Sequence, residues 1–357
     1  MKIKKMLVVL PAVLITILIG VVIFYNYSIG KVSNDSTLKK VVIEQGSIES
    51  IGLTLEKNNL IKDAKMFKIY VKISGKTNLK AATYMLSEDM GVKKIVDILE
   101  EGKSYNPNEV TLTFKEGINM RDAVSLICDN TNNKEEDVFK LLDSKDYLNT
   151  LIDKYWFLTA DIKNPSIYYS LEGYLFPATY TYFSEDVDVK EIFSDMLDNT
   201  LEKLSPYQEK IKNSKYSIHE IITIASLVES EGANVEDRKN IAGVFYNRLD
   251  SNITLGSDVT TYYGLKINMN ERSLTKQELS ECNDYNTRCL TFYGLPVSPI
   301  SLPSIESIEA AIEPNNHDYL YFVADKNKKT YFTKTINEHE KLVAKLKNEG
   351  MFYEHEE

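Results

Sequence analysis

The sequence predicts an α+β protein carried on a single N-terminal transmembrane helix, with a small α/β subdomain followed by a mixed α+β domain. Three observations predict it. An uncharged run from Met6 to Gly30 follows Lys2, Lys4 and Lys5. Strand-like and helix-like patterns alternate from Val41 through residue 130. Beyond that point helical periodicity dominates and is broken by one late strand pair.

The centre of the first run, Leu7 to Tyr25, is almost wholly apolar. About 20 helical residues, each rising about 1.5 Å, cross the hydrocarbon core of a bilayer. Pro11 falls in the first turns, where it is tolerated. The lysines favour the cytoplasmic side, so a single-pass protein of the cell membrane is expected, N-terminus inside and the rest outside. A cleaved signal peptide is the competing reading; the run is long for one, and no small-x-small site precedes Lys31. Residues 1–30 are read as a cytoplasmic tip and anchor, and the polar stretch 31–40 as a linker.

Residues 41–130 form the small subdomain. Val41-Val42-Ile43 and Ala82 to Leu86 have strand character. Ile48 to Asn59 has helical spacing, and Met66 to Ser74 fits either a β-rich or an amphipathic segment. Val92 to Leu99 is an amphipathic helix that Gly102 ends. Val110, Leu112 and Phe114 alternate as in a strand, Gly117 marks a turn, and Met120 to Cys128 is helical.

Residues 131–357 form the larger domain. The stretch 131–215 is mostly helical and rich in tyrosine. Within it, Leu171 to Tyr180 is read as a loop, because Pro177 argues against a long helix. Its aromatics and Glu172 fit a groove wall. Two helices follow, Ser217 to Glu231 and a second capped by Asn234 and running to Asp250. Loops lead to a helix near Ser304–Ile312, a hairpin turning at Asp325 to Lys328, and a final helix from Ile336.

The composition narrows the function. A net charge of -10 over 357 residues offers no basic stripe for phosphates, so no nucleic-acid partner is expected. Three scattered cysteines form no CxxC pair, and the four histidines show no HExxH spacing. No GxSxG elbow or glycine-rich phosphate loop is present. No metal or other cofactor is expected. Whether Cys282 and Cys289 pair stays open at this level. The 23 tyrosines suit a glycan groove, since they stack on sugar faces and hydrogen-bond through their hydroxyls.

Catalysis needs a placed carboxylate, and Ile221 to Glu231 supplies two candidates. At about 100° per residue, Glu229 falls about 80° from Ile221, between Ala225 and Ile222. Glu231 falls at the other edge of the apolar arc, between Leu227 and Ile224. A carboxylate on an apolar face loses water, which raises its pKa towards the range a general acid needs. Periodicity does not choose between the two, and a glutamate at a helix end beside glycine is otherwise a solvated terminal residue.

Several blocks, in order, resemble the MltG (YceG-like) family of endolytic murein transglycosylases. Leu171 to Thr179 is similar to its L/I-E-G-x-x-F/W-P-x-T block, and Ala225 to Glu231 to its A-S-I/L-V/I-E-x-E block. Val244 to Leu249, Asp258 to Gly264, Tyr285-Asn286-Thr287, Gly294 to Ile300 and Tyr319 to Ala324 follow in the family's order. The chain departs from the usual L-Q-T/S-D-P-T at Gly256 and Val259, and has Ala81-Ala82 where A-G is common.

The resemblance implies a LysM-like membrane-proximal subdomain and a YceG-like catalytic domain. It implies cleavage of the MurNAc-GlcNAc β-1,4 bond of nascent glycan strands, leaving 1,6-anhydroMurNAc ends and ending strand elongation. Glu229 is then the acid/base. Glu231 and Arg248 are expected to order the site by hydrogen bonds or an ion pair. Glu172, Asn247, Asp258, Tyr262, Tyr285, Asn286 and Thr287 are expected to line the groove. Expected partners are peptidoglycan strands and cell-wall synthases (penicillin-binding proteins). The alternatives are a water-using muramidase of the lysozyme type, with Asp258 or Glu231 as second carboxylate, and a non-catalytic glycan-binding scaffold.

Overall fold

The computed structural model describes residues 2–102, 108–232 and 234–352, and for 2–15 the backbone alone. The chain divides into two compact units, Met1–Glu109 and Val110–Glu357. The boundary expected at residue 130 therefore moves towards the N-terminus. The cause is strand pairing: the 110–113 strand finds its partner at 179–182, not in the small subdomain.

The first unit opens with helix α1 (Lys2–Ile29). The expected anchor falls partly on 2–15, whose side chains lie outside the described residues. Among the described residues no helix is long and apolar enough to cross a membrane. Then come β1 (Lys39–Ile43), α2 (Ile48–Lys57), α3 (Ala64–Ser74), β2 (Ala82–Leu86) and α4 (Gly91–Glu101). β1 and β2 are antiparallel, with Val41 opposite Tyr84. Their inward residues Val41, Ile43, Tyr84 and Leu86 pack on Leu55, Phe67, Val71, Ile95 and Leu99. The ambiguous Met66–Ser74 stretch is helical. Asp63 caps it by accepting from the Met66 N–H at 2.8 Å, and Phe67 and Val71, four apart, bury one face.

The second unit contains two antiparallel strand pairs and a layer of helices. β3 (Val110–Thr113) leads to α5 (Met120–Asn130), α6 (Glu135–Leu142) and α7 (Lys145–Lys154). β4 (Thr179–Tyr182) pairs with β3 and feeds α8 (Val189–Leu204) and the short α9 (Gln208–Lys212). Next are α10 (Ile218–Ser230), α11 (Val235–Asp250), α12 (Asp258–Gly264) and α13 (Lys276–Ser280). The chain closes with α14 (Ile305–Ile312), the β5–β6 hairpin (Tyr321–Ala324, Thr330–Thr333) and α15 (Ile336–Asn348). The two short helices α12 and α13 stand where sequence patterning gives only loops. Each is under eight residues, too short to show a periodic face.

α10 is the centre of this unit. Ser217 and Glu220 cap it reciprocally, and every residue from Ile221 to Val228 is buried. The expected one-sided apolar arc is thus an all-round core helix. Thr223 and Ser226 tolerate burial because their hydroxyls donate to the carbonyls of His219 and Thr223, both at 2.7 Å.

The Leu171–Pro177 stretch is also interior, not a groove wall. Gly173 is its pivot, with φ +84°, and an added Cβ would lie 2.3 Å from Pro299 Cβ and 3.0 Å from Ile222. Gly173→Ala combines left-handed strain with overpacking, so unfolding free energy should fall by roughly 2–5 kcal/mol in a denaturant titration. An unchanged midpoint would contradict this packing.

Candidate active site

Glu229 sits on the last turn of α10, 7% exposed, and its carboxylate meets a set of donors. Arg238, from the first turns of α11, grips it with both ends of its fork. Nη1 donates to Oε2 at 3.0 Å and Nη2 to Oε1 at 3.2 Å. The Ser304 N–H donates to Oε2 at 2.9 Å, and the Ser304 hydroxyl bonds the same oxygen. Arg238 Nη1 also bonds the hydroxyls of Ser304 and Ser307. Three segments therefore meet at one carboxylate: the end of α10, the start of α11 just after it, and the sequence-distant N-terminus of α14.

The turn after β3 closes over this carboxylate. Gly117 lies there with φ +76°, and a Cβ on it would lie 3.6 Å from Glu229 Cγ. The turn is pinned by Gly117 N–H to Leu302 O (2.8 Å) and Leu302 N–H to Ile118 O (2.7 Å). Its neighbour Glu116 is exposed at the surface. Partial desolvation, then the negative charges of Glu229 and Glu306, hold the Glu116 carboxyl above the ordinary range.

Beside Glu229 lies a cavity of ≈ 320 Å³ lined by Gly117, Asn119, Ser230, Tyr262, Tyr263 and Ser301. Glu229 itself is not in the lining; its chain neighbour Ser230 and the Gly117 turn are. A second cavity of ≈ 410 Å³ lies on the other side of Val259, which lines both. It includes Glu231, Arg248, Gly256, Asp258 and Arg288.

Four of the expected residues therefore face open space: Tyr262 at the first cavity, and Glu231, Arg248 and Asp258 at the second. Of the two arrangements expected for Glu231 and Arg248, hydrogen bonds or an ion pair, no ion pair joins them among the described residues. Arg248 donates instead to the carbonyls of Leu255 (2.7 Å), Thr254 (3.1 Å) and Leu320 (2.5 Å) and lies over the Tyr321 ring. Glu231 accepts from the Ser257 hydroxyl at 2.6 Å, and burial pushes it up to about 7. Asp258 pairs with Arg288 at 2.7 Å.

The remaining expected groove residues are braces. Asn247 donates to the carbonyls of His317 (2.8 Å) and Tyr319 (3.0 Å). Tyr285, Asn286 and Thr287 are fully buried. Tyr285 accepts from the Tyr168 N–H at 3.0 Å, Asn286 accepts from Thr261 at 2.6 Å, and Thr287 meets the Thr260 hydroxyl at 2.9 Å. Their polarity serves loops that have no regular ladder to satisfy them. Cys282 and Cys289, which flank this segment, form a disulfide.

Glu172 is the most buried of these carboxylates. Both its oxygens accept from the Met120 N–H at the start of α5 (3.1 and 3.0 Å), and Tyr263 donates at 2.8 Å. No cation bonds it among the described residues, and burial pushes it up to about 8 from the ordinary 4.5. Between those values the folded protein holds a proton that the unfolded chain has released. Stability should therefore fall as pH rises from about 4.5 to about 8, on the order of a few kcal/mol, and level off above. Glu172→Gln keeps an acceptor for Met120 and should flatten that slope. Melting temperatures at pH 5 and 8.5 check it; equal slopes in parent and variant would refute it.

Sequence reasoning missed Arg238, Ser304 and Glu116. Arg238 left one trace: a cation in the first turns of a helix opposes the helix dipole and so needs a local partner. Ser304 and Glu116 left none, because only folding brings them to Glu229.

The model of the YceG-like family matches residues 41–345. The chain belongs to the YceG-like family. A Bacillus subtilis (strain 168) relative, an endolytic murein transglycosylase, is 35% identical over 333 residues, 92% of this chain and 91% of the relative. A Streptococcus pneumoniae (D39) protein of the same description is 34% identical over 88% of this chain and 60% of its own length. The crystal structure of a putative yceG-like protein from Listeria monocytogenes superposes with a TM-score of 0.61 at 37% identity. That match covers 85% of this chain and 99% of the Listeria chain. The α+β architecture is thus that of a YceG-like protein.

Proposed function

We propose that this chain is an endolytic peptidoglycan lytic transglycosylase with Glu229 as its single acid/base. It cuts the MurNAc-GlcNAc β-1,4 bond and leaves 1,6-anhydroMurNAc ends. The observation that carries the reading is one enclosed carboxylate, oriented by Arg238 and Ser304, beside a cavity whose lining includes two tyrosines. The relatives described as endolytic murein transglycosylases support the same substrate.

One carboxylate suffices for this chemistry. Glu229 protonates the glycosidic oxygen as the bond to C1 breaks. The C6 hydroxyl of the same muramoyl residue then attacks C1, and Glu229 takes its proton. No water is consumed, so the second carboxylate that hydrolysing glycosidases require has no task. Arg238 fixes the carboxylate's plane throughout the cycle. Tyr262 and Asn119 offer hydrogen bonds to sugar hydroxyls.

The chain acts at the outer face of the cell membrane, held by α1 with its N-terminus in the cytoplasm. The exposed apolar side chains from Ile17 to Phe24 support this, since water is a poor solvent for them. The Cys282–Cys289 disulfide supports an oxidising, extracytoplasmic location. The β1-α2-α3-β2 unit serves as the LysM-like membrane-proximal subdomain. Cell-wall synthases are the partners that make the strands this enzyme ends.

Mass spectrometry of digested glycan strands tests the reaction: 1,6-anhydro ends are expected. Reducing MurNAc ends without the anhydro product would overturn it in favour of a water-using muramidase. Glu116 is the observation that favours that second reading, because its carboxyl lies in the field of Glu229.

A further inference from the structure

We propose that the ≈ 410 Å³ cavity beyond Val259 is a subsite for the stem peptide of the muramoyl residue, with Arg288 and Arg248 receiving its carboxylates. The proposal rests on the glycan-cutting reading above. It assigns a role to a surface that the acid/base chemistry leaves unused.

Continuity comes first. Val259 lines both cavities, and the consecutive residues Ser230 and Glu231 line one each. A sugar beside Ser230 therefore has the second cavity within reach of a short substituent. In murein that substituent is the stem peptide, attached through the lactyl ether of the muramoyl ring.

Charge comes second. The chain carries a net charge of -10, yet this cavity holds two guanidiniums. Arg248 bonds only carbonyl oxygens and forms no ion pair among the described residues. Arg288 is 41% exposed and shares its charge with Asp258. Glu231, pushed up to about 7, offsets this only partly at neutral pH. Gly256, at φ +64°, packs against Arg248, and an added Cβ would lie 3.1 Å from Nη1. Arg248 Nε and Nη1 are taken by those carbonyls, which leaves Nη2 as its donor to a carboxylate.

Shape and polarity come third. Leu290 is 82% exposed and Ile336 47% exposed, and both line the cavity. They offer apolar contact to the methyl groups of alanine residues. The Nδ1 of His339, another lining residue, is buried with no partner among the described residues. A stem peptide combines these features: small methyl side chains, free carboxylates and backbone amides.

The test uses the full chain and two substrates: strands with peptide stems and strands stripped of them by an amidase. For the parent, KM should be about tenfold lower on peptide-bearing strands, the effect of one charge-assisted contact. Arg288→Glu should bring that ratio close to one by raising KM on peptide-bearing strands, with kcat little changed. Equal KM values in the parent, or an equal rise on both substrates in the variant, would overturn the subsite. Leu290→Asp, at a highly exposed position, is the second variant if Arg288→Glu misfolds, with the same expected loss of ratio. If the parent cleaves neither substrate, the glycan-cutting reading fails instead. Titration of a synthetic stem pentapeptide then decides the subsite alone: binding lost in Arg288→Glu upholds it, and no binding to the parent overturns it.

Discussion

Glu229→Gln should lower strand cleavage by about 10²–10⁴-fold while the protein stays folded. General acid–base catalysis by one placed group contributes a factor of that size. Glutamine fills the same space and its carbonyl still accepts from the Ser304 N–H, so the end of α10 stays joined to the start of α14. It has no proton to give to a leaving oxygen and does not take one from a C6 hydroxyl. Turnover of purified glycan strands, with circular dichroism to check the fold, reads the result. Cleavage at the parental rate by a folded variant would leave the protein a glycan-binding scaffold, with Glu229 structural.

Arg238→Leu should have the largest effect on stability. The Arg238 side chain is 11% exposed and makes both fork bonds to Glu229, besides those to Ser304 and Ser307. Leucine leaves the carboxylate enclosed with serine donors alone. Removing one partner of a buried ion pair costs about 3–5 kcal/mol, because the other charge stays desolvated. Cleavage should fall as well, since nothing then fixes the carboxylate's plane. The double variant Arg238→Leu/Glu229→Gln separates the two roles. Without a charge at 229, the penalty at 238 should shrink by on the order of 1–3 kcal/mol. Strictly additive denaturation energies would show that the pair is not coupled.

Much of the fold was legible from local pattern. Ser217 and Glu220 mark the start of α10, Asn234 caps α11, and Gly102 ends α4, each by a bond within a few residues. Periodicity failed where burial is two-sided. α10 has no polar face to break the pattern, so Glu229 and Glu231 look alike along the sequence. In the structure they part: one faces Arg238 and Ser304, the other Ser257 and the second cavity. Glu172 in its aromatic loop fits a groove wall by chemistry alone, and the family resemblance implies the same for Tyr285 to Thr287. The same donors and acceptors suit buried loops, and burial is not encoded in residue type.

The sequence by itself determined the family, through ordered blocks that include Ala225 to Glu231. It also determined the local helices and turns, which depend on contacts a few residues apart. Only the tertiary structure decided the surroundings of the acid/base. Arg238 lies nine residues beyond Glu229 and across a turn, and Ser304 lies 75 residues away. Their convergence comes from packing α10 against α11 and α14, an outcome of long-range burial that no local pattern carries.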